Sequence, residues 1–450
     1  MSDLTNKIKL LITGLNEDLG TVSKLYSTGI PNNATGDMVV SRTADTATRV
    51  NSTGNIETVV ANKARITYEL GVDQCPNLLV EKTRFNAAQN SGDTTNLSHW
   101  SLGSAFLGSL PVTVMGHTFV DLVAVASSDI GVGAGRTGGG CITTSLTNGL
   151  RYTISFYYKK TGGTNNSANY YVLIGGLDIA AGFNIDDNTS FIIYDSAATT
   201  GRVRTITQIG NTDVYLCEES FTMTATANVT NLFLSLAGYA SNTFPIGARG
   251  AVGLPQIEQG AFATSRIITT GVVAVTANAD VISKTGISAL IPQTKGGLFF
   301  DGYLQAGSLS DVTIKAMAQL VSDSDPTDAL FMFRTDNTIE FKSTIDGITQ
   351  FDIVVSVVAP TKNKRIKTFI NYNTNNVSVY INGMLVGTDT NCNTPATDAL
   401  YIGRRTGGNE WDGLIKAVAV TDELTLAEIE QLSSYSSFEN MAEQMIYQMI

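Results

Sequence analysis

The stretch YINGMLVG, residues 380–387, constrains the fold more than any other part of this chain. An alternating segment precedes the dipeptide Asn382-Gly383 and another follows it. Asn-Gly favours the tight turn that joins two antiparallel strands, so the stretch predicts a β-hairpin. Similar segments recur from one end of the chain to the other, separated by clusters of Gly, Asn, Asp and Thr. The recurrence predicts a protein built from antiparallel sheets.

Composition agrees with this prediction and sets the number of domains. Hydrophobic residues make up 43% of the chain and charged residues 15%, against about 25% charged in an average soluble domain. A chain of 450 residues exceeds the size of one ordinary domain. We therefore expect an all-β protein with two β-sandwich (jelly-roll) domains in tandem, a short N-terminal helix and C-terminal helices.

The order of the patterns along the chain predicts the domain boundaries. Short strand candidates fill two blocks, each of which we expect to fold independently, and Thr425 with Glu428 forms a capping-box pattern at the start of a helix. The predicted segments are an N-terminal docking or oligomerisation helix (1–30), an extended leader (31–95), a jelly roll (96–263), a connector (264–296), a second sandwich (297–432) and a C-terminal helix (433–450).

The N-terminal segment carries apolar residues at heptad-like spacing, with a polar break at Asp18. A helix of this kind either packs on its own chain or docks on a partner, and we favour a short oligomer, most simply a trimer, or a groove on a neighbouring protein. The residues of this seam are Leu4, Ile8, Leu11, Leu15, Val22 and Leu25.

Charge and hydropathy exclude several classes of function. The net charge of −11 argues against binding to nucleic acid, since phosphate contacts need a basic face. The apolar runs fall short of the roughly 20 residues that a membrane span requires, and the N-terminus lacks the features of a signal peptide. Four cysteines outside any CxxC pair indicate buried thiols, and two histidines make a zinc site unexpected.

Two motifs that could indicate an enzyme have simpler explanations. NEWDG places Glu410 and Asp412 two residues apart, a spacing that fits a glycosidase pair, but the third acid of the longer glucanase motif is missing. The glycine-rich stretch 131–140 lacks the following helix and acid that a dinucleotide fingerprint needs, so we interpret it as a loop. The sequence therefore predicts a protein that is not an enzyme.

Aromatic residues on the predicted strands are candidates for glycan binding. Pyranose rings stack their apolar faces on aromatic side chains, although packing in the core remains the alternative for each single residue. The candidates are Trp100, Tyr157, Tyr170, Tyr171, Tyr401 and Trp411.

Loops rich in Asp and Asn, such as DSDPTD at 323–328, contain side chains that could bind a structural calcium ion. None of them matches an ordered calcium-loop motif. We therefore expect no cofactor, with a bound calcium ion as the open alternative.

The C-terminal block resembles the concanavalin-like, laminin-G-type sandwich. In that family a strand leads into a Y-x-N-G turn, followed by an IG strand, an aromatic-x-G-x-I strand and a helix that opens L-(S/T)-x-x-E-I. The matching residues here are Tyr380, Asn382, Gly383, Ile402, Gly403, Trp411, Gly413, Ile415, Leu424, Thr425, Glu428 and Ile429.

The earlier block has a resemblance of its own. GLPQIEQGAFATSRIITTG (253–271) looks like the closing stretch of carbohydrate-binding-module-type jelly rolls in bacteriophage virion proteins, with Pro255 as a departure. Residues 47–86 are similar to the leader that precedes this jelly roll in phage tail and fibre proteins, with Arg49 in place of an aromatic residue.

Together these resemblances imply a virion structural protein, made in the host cytoplasm, that acts as a tail or head fibre or as a decoration protein. Its partners would be other virion proteins, further copies of itself and glycans of the host surface. A purely architectural subunit and, less favoured, a polysaccharide-degrading enzyme stay open as alternatives.

Overall fold

The structure is a computed structural model that describes residues 4–13, 24–25, 37–69, 73–96, 100, 106–108, 111–125, 128–129, 144–163, 166–236, 243–244, 246–271, 274–304, 314–335, 338–357 and 365–433. Nearly all regular structure in these ranges is antiparallel β, which confirms the predicted fold class. Within the same ranges, every helix is too short or too polar to cross a bilayer.

The N-terminal part starts with one helical turn and continues as short strands. Its elements are α1 (Leu4–Lys7), β1 (Ile8–Thr13), β2 (Lys24–Leu25), β3 (Met38–Ser41), β4 (Thr48–Val50), β5 (Ile56–Thr58), β6 (Arg65–Glu69), β7 (Asp73–Val80) and β8 (Arg84–Asn86).

The middle of the chain contains the longer strands of a first sandwich. Its elements are β9 (Phe106–Gly108), β10 (Val112–Val114), β11 (His117–Ala124), β12 (Ser128–Asp129), β13 (Thr144–Leu146), β14 (Arg151–Lys159), β15 (Ser167–Ile174), β16 (Leu177–Asn184), β17 (Thr189–Tyr194), β18 (Thr199–Gln208), β19 (Val214–Met223), β20 (Ala227–Leu236), β21 (Thr243–Phe244) and β22 (Arg249–Gln259).

The C-terminal part forms most of a second sandwich and ends in a helix. Its elements are β23 (Val275–Ala277), β24 (Val281–Lys284), a 3-10 helix (Ser288–Leu290), β25 (Gly296–Leu304), β26 (Lys315–Val321), β27 (Ala329–Arg334), β28 (Thr338–Ile345), β29 (Ile348–Ser356), β30 (Ile366–Asn373), β31 (Asn376–Ile381), β32 (Met384–Asp389), β33 (Ala399–Ile402), β34 (Gly413–Thr421) and α2 (Leu426–Ser433).

The first sandwich packs a seven-stranded sheet on a five-stranded sheet. The seven-stranded sheet has the order β10-β11-β22-β14-β19-β18, with β9 also paired to β11, and the five-stranded sheet has the order β13-β20-β15-β16-β17. Alternation along β14 directs Ile154 and Phe156 into the core between the sheets, and therefore turns Tyr157 to the outer face of the seven-stranded sheet. The same alternation along β15 turns Tyr171 to the outer face of the five-stranded sheet.

The second sandwich consists of two eight-stranded sheets. One, the β34 sheet, has the order β32-β31-β30-β25-β34-β7-β6, and the other, the β33 sheet, has the order β2-β3-β24-β33-β26-β27-β28-β29. Strand β34 pairs with β25 on one side, and β7 and β1 share its other side. Apolar side chains from both sheets, including Phe300, Phe341 and Trp411, fill the space between them.

Among the described residues, the predicted N-terminal helix is confined to its first turn, and the prediction is wrong for residues 8–13 and 24–25. Ile8 and Leu11 lie on strand β1, which pairs with β34, and Leu4, Ile8 and Leu11 pack against α2 on the outer side of the β34 sheet. Leu10 and Ile12 face the sandwich core, so the strand is buried on both faces. A short apolar run of that kind cannot be told from a helix by periodicity. These side chains are therefore unavailable for docking or oligomerisation.

Other parts of the predicted terminal elements fall outside the described residues. This applies to Leu15, Val22, the glycine-rich stretch 131–140 and the helix predicted after residue 433, whereas Leu25 ends strand β2.

The predicted domain boundaries are also wrong in one respect. The leader contributes β3, β6 and β7 to the second sandwich, and the connector contributes β24. The first sandwich is thus inserted into the sequence of the second, whose strands come from both sides of it. Sequence patterns reveal strands but not their pairing partners, so this insertion was invisible in a single sequence.

A buried ion network joins the chain segments that enter and leave the first sandwich. Asp280 accepts hydrogen bonds from Arg42 Nη1 (2.9 Å) and Arg65 Nε (3.1 Å), and Arg65 Nη1 donates to Glu81 (2.7 Å). Glu81 also accepts from the backbone N–H of Ser265 (2.8 Å), in the loop that follows β22. Burial alone would lower the pKa of Arg65, but the charges of Asp280 and Glu81 outweigh burial and raise it.

Helix α2 begins with the capping interaction that its sequence predicts. Glu428 accepts hydrogen bonds from the backbone N–H and the hydroxyl of Thr425, both at 2.7 Å, and pairs with Lys7 at 2.8 Å. The capping box therefore also ties the helix to the N-terminal turn α1.

Candidate functional site

Two of the six predicted glycan-binding residues are core residues. Tyr170 is fully buried between the sheets of the first sandwich, where its hydroxyl donates to Glu219. Trp411 is fully buried in the second sandwich, with its ring 4.9 Å from that of Phe300 and its Nε1 3.4 Å from the carbonyl of Leu414. Neither ring can stack on a sugar, so both predictions are wrong. Tyr170 points to the inner face of β15, and Trp411 enters the core from the segment before β34; composition alone reveals neither.

Trp100 and Tyr401 are half-buried and lie apart from each other. Trp100 packs against the core of the first sandwich and donates from Nε1 to the carbonyl of Asn90 at 3.1 Å. Tyr401 packs beside Phe331 on the β33 sheet of the second sandwich. Tyr157 is also buried, with 8% of its surface exposed, in an apolar cluster on the outer face of the seven-stranded sheet, and Arg266 lies 4.8 Å from the centre of its ring, so this prediction is wrong as well. The six predicted residues therefore do not form one site.

Tyr171 belongs to a group of three aromatic residues on the outer face of the five-stranded sheet. Its ring centroid is 5.1 Å from that of Phe233 on the neighbouring strand β20 and 6.0 Å from that of Tyr194 on β17. Strand β16 lies between β15 and β17, and at this level it presents Ala180, which pairs with both Tyr171 and Tyr194. The small alanine leaves room for the two tyrosine rings to meet. We call Tyr171, Tyr194 and Phe233 the aromatic face.

Polar groups accompany the aromatic face. Tyr171 donates its hydroxyl proton to Asp178 at 2.5 Å, on the exposed start of β16. Burial, with a further contribution from this carboxylate, raises the pKa of Tyr171. The phenol therefore remains a hydrogen-bond donor, and the remaining lone pairs of Asp178 can accept further hydrogen bonds.

Two buried polar atoms belong to residues two positions from Tyr171 and Phe233 on the same strands. Asn169 and Ser235 face each other across β15 and β20 and, by the period of two, share the outer side of the sheet with Tyr171 and Phe233. In the described part of the chain, neither Asn169 Oδ1 nor Ser235 Oγ has a hydrogen-bond partner. Because both atoms are buried, a sugar on this face would meet the aromatic rings and the exposed Asp178 rather than Asn169 or Ser235.

Tyr194 and Phe233 were missed in the sequence, because no periodic signal singles out either residue. The segments SFIIYDS and VTNLFLSLAG contain the unbroken apolar runs FIIY and LFL, so the period of two does not assign Tyr194 or Phe233 to one face of its strand. The three rings come into contact only through the strand order, because Tyr171 on β15 meets Phe233 on β20 and Tyr194 on β17. A single sequence does not reveal this order.

The carboxylates of NEWDG are engaged in ion pairs. Asp412 is fully buried and accepts from Lys315 Nζ (2.6 Å) and from the backbone N–H of Lys82 (2.8 Å). Glu410 pairs with Arg404 at 2.9 Å. The two acids therefore serve as structural partners for cations of the second sandwich.

Three carboxylates meet at the loop that contains DSDPTD. Oxygen atoms of Asp325, Asp328 and Asp346 lie within 4.8 Å of one another. Two of these acids have local hydrogen bonds: Asp325 accepts from Thr327, and Asp328 accepts from the backbone N–H of Asp346. These bonds account for the grouping without an ion, and calcium binding stays a prediction.

Comparison with known proteins finds a family model that matches one segment of the chain. Residues 307–430 match the family described as the Concanavalin A-like lectin/glucanases superfamily, which confirms the resemblance inferred for the C-terminal block. No curated protein sequence matches the chain.

Three solved structures are similar to parts of the chain. The CBM40 of Ruminococcus gnavus IT-sialidase is 12% identical, covers 34% of this chain and 98% of its own, and has a TM-score of 0.28. Domains LG4-5 of mouse laminin alpha1 are 9% identical over 64% of this chain and 88% of their own, with a TM-score of 0.24. Sheep galectin-11 is 10% identical over 31% of this chain and 95% of its own, with a TM-score of 0.23.

Proposed function

We propose that this chain is a glycan-binding protein without enzymatic activity, and that the aromatic face is its binding surface. The observation that carries the proposal is the contact of Tyr171 with both Tyr194 and Phe233 on the outer side of a sheet. Aromatic side chains on the outside of a sandwich cost solvation energy unless something covers them. A sugar ring covers them with its apolar face and leaves its hydroxyls to Asp178 and to water.

The matched family supports a role in sugar binding, since its description names lectins, but it also names glucanases. A glucanase needs two carboxylates that are free to act on a glycosidic bond. Glu410 and Asp412 are held by Arg404 and Lys315, which favours the lectin-like alternative. The test is the release of reducing ends from capsule or cell-wall polysaccharide. Release by the unchanged protein that is abolished in Glu410→Gln or Asp412→Asn would contradict the proposal.

We further propose that the protein is a bacteriophage fibre or decoration protein and functions in the virion. This part rests on the resemblance of residues 47–86 and 253–271 to phage leader and jelly-roll sequences. Its partners would be neighbouring virion proteins and two further copies of the chain. Because Leu4, Ile8 and Leu11 are buried, contact with these partners would use other residues. Light scattering on the purified chain tests the trimer, and antibody labelling of intact particles tests the virion location.

A glycan array tests the binding function and separates it from a purely architectural role. The proposal predicts that the full chain retains a defined set of glycans and that Tyr171→Ala loses them. Tyr401→Ala is the matched control, because it removes a half-buried tyrosine from the other sandwich. Absence of binding to every glycan on a broad array would favour the architectural alternative.

A further inference from the structure

The aromatic face lies on a sheet whose strands carry a single charged residue. The strands β13, β15, β16, β17 and β20 contain no lysine, arginine or histidine, and Asp178 is their one acidic residue. Asp178 is exposed on the outer side of the sheet, where it accepts the hydroxyl proton of Tyr171. A ligand on the aromatic face therefore meets one negative charge, and no positive charge, from the strands beneath it.

A neighbouring arginine does not change this balance, because it is buried and already neutralised. Arg202 on β18 donates to the carbonyl oxygens of Ala180 (3.1 Å) and Tyr194 (2.6 Å) in the same sheet. Its side chain is 4% exposed and pairs with the fully buried Glu219 at 2.7 Å. It also pairs at 3.3 Å with Asp195, which follows Tyr194 and is 61% exposed. The charge at the rim of the aromatic face is therefore negative as well.

Asp178 offers a ligand hydrogen-bond acceptors and no donor. Its Oδ1 accepts from Tyr171, whereas its Oδ2 has no donor among the residues that the structure describes. A sugar hydroxyl can donate to this oxygen, and a hydrogen bond to a charged acceptor is stronger than one between neutral groups. A carboxylate, sulfate or phosphate on the sugar would instead meet a like charge, with no cation of the sheet to offset the repulsion.

We propose that the aromatic face selects glycans without acidic groups and that Asp178 determines this selectivity. The inference rests on the proposed function, since it takes the aromatic face as the glycan-binding surface. Tyr171 and Phe233 supply ring surface on which neutral and acidic pyranoses can both stack, so the rings do not discriminate between the two. The discrimination comes from the carboxylate of Asp178, which attracts hydroxyl donors and repels anions.

A broad glycan array that presents neutral glycans beside their uronic, sialylated and sulfated counterparts tests the inference on the full chain. Binding is compared at low and high salt, about 0.02 and about 0.5 M, since screening weakens repulsion between exposed charges. Asp178→Asn removes the charge and keeps an oxygen that can accept from Tyr171. Asp213→Asn is the matched control, because it makes the same change in net charge at an exposed position before β19, in the other sheet.

At low salt, the unchanged protein and Asp213→Asn should bind the neutral member of each retained pair roughly tenfold or more tightly than the acidic member. High salt should reduce this ratio in both proteins. In Asp178→Asn the ratio should fall to about threefold or less and no longer depend on salt. A structural role of Asp178 would weaken both members of a pair equally and leave the ratio unchanged.

The outcomes separate this inference from the proposed function. Equal binding of both members, preference for the acidic member or an unchanged ratio in Asp178→Asn would overturn the inference, and binding that Tyr171→Ala abolishes would still support the proposed function. If Asp178→Asn retains no glycan, a ratio in the unchanged protein that does not respond to salt would overturn the inference. Absence of binding to every glycan would overturn both.

Discussion

Replacement of Asp280 should destabilise the region where the two sandwiches meet. Its side chain is 1% exposed and accepts hydrogen bonds from Arg42 Nη1, Arg65 Nε and the backbone N–H of Glu81 (3.1 Å). Both arginines are buried, so removal of the carboxylate leaves two cations without their main counter-charge. Removal of one partner from a buried pair costs about 3–5 kcal/mol, and we expect Asp280→Ala to lower the free energy of unfolding by that amount.

Two comparison variants make this magnitude interpretable. Asp280→Asn keeps one oxygen as an acceptor and should cost less, about 1.5–3 kcal/mol. Lys9→Ala breaks the pair with Asp422 (2.7 Å), in which both side chains are more than a third exposed, and should cost no more than about 1 kcal/mol.

Urea denaturation followed by circular dichroism and tryptophan fluorescence measures these differences. Trp411 is buried in the second sandwich next to Asp412, so its emission reports on the sandwich that Asp280 helps to assemble. The reasoning is refuted if Asp280→Ala shifts the unfolding free energy no more than Lys9→Ala does, since the buried network would then contribute nothing beyond a surface pair.

Two further predictions concern the assembly of the second sandwich. Residues 297–432 expressed alone should show no cooperative unfolding by circular dichroism, because they lack β1, β3, β6, β7 and β24; a cooperative transition like that of the full chain would contradict the strand order. Burial raises the pKa of Glu428, but hydrogen bonds from Lys7 and Thr425 outweigh it and hold that pKa below the usual 4.5. The stabilisation is therefore present above pH 4.5 and lost as the pH falls through the lower folded-state pKa. Glu428→Gln should cost about 1 kcal/mol at pH 7 and nothing in stronger acid, and a pH-independent difference between the two proteins would contradict this assignment.

The hairpins were predictable because their signals are local. Asn382 and Gly383 have φ values of 49° and 83°, as the tight turn between β31 and β32 requires, and Asn-Gly adopts this geometry at low cost. The hairpin of β4 and β5 turns at Asn51–Asn55, whose sequence NSTGN is rich in turn-forming residues. Turn chemistry and alternation are properties of a few neighbouring residues, so a single sequence contains them.

Long-range pairing was not predictable, because it depends on residues that lie far apart in the chain. Strand β1 pairs with β34 across roughly 400 residues, and its apolar run is compatible with a helix until that partner is known. The aromatic face could not be predicted for the same reason. Tyr171, Tyr194 and Phe233 are separated by 20 or more residues in the chain and meet only through the order of β20, β15, β16 and β17. Of the residues at this surface, the sequence could therefore indicate Tyr171 alone.

The most direct test of the account is a titration of the full chain with a glycan retained on the array, monitored by isothermal calorimetry. We predict that Tyr171→Ala weakens binding at least tenfold, which corresponds to about 1.4 kcal/mol of lost stacking. Tyr401→Ala should leave the affinity within twofold of the unchanged protein. Equal affinities for Tyr171→Ala and the unchanged protein would contradict the assignment of glycan binding to the aromatic face.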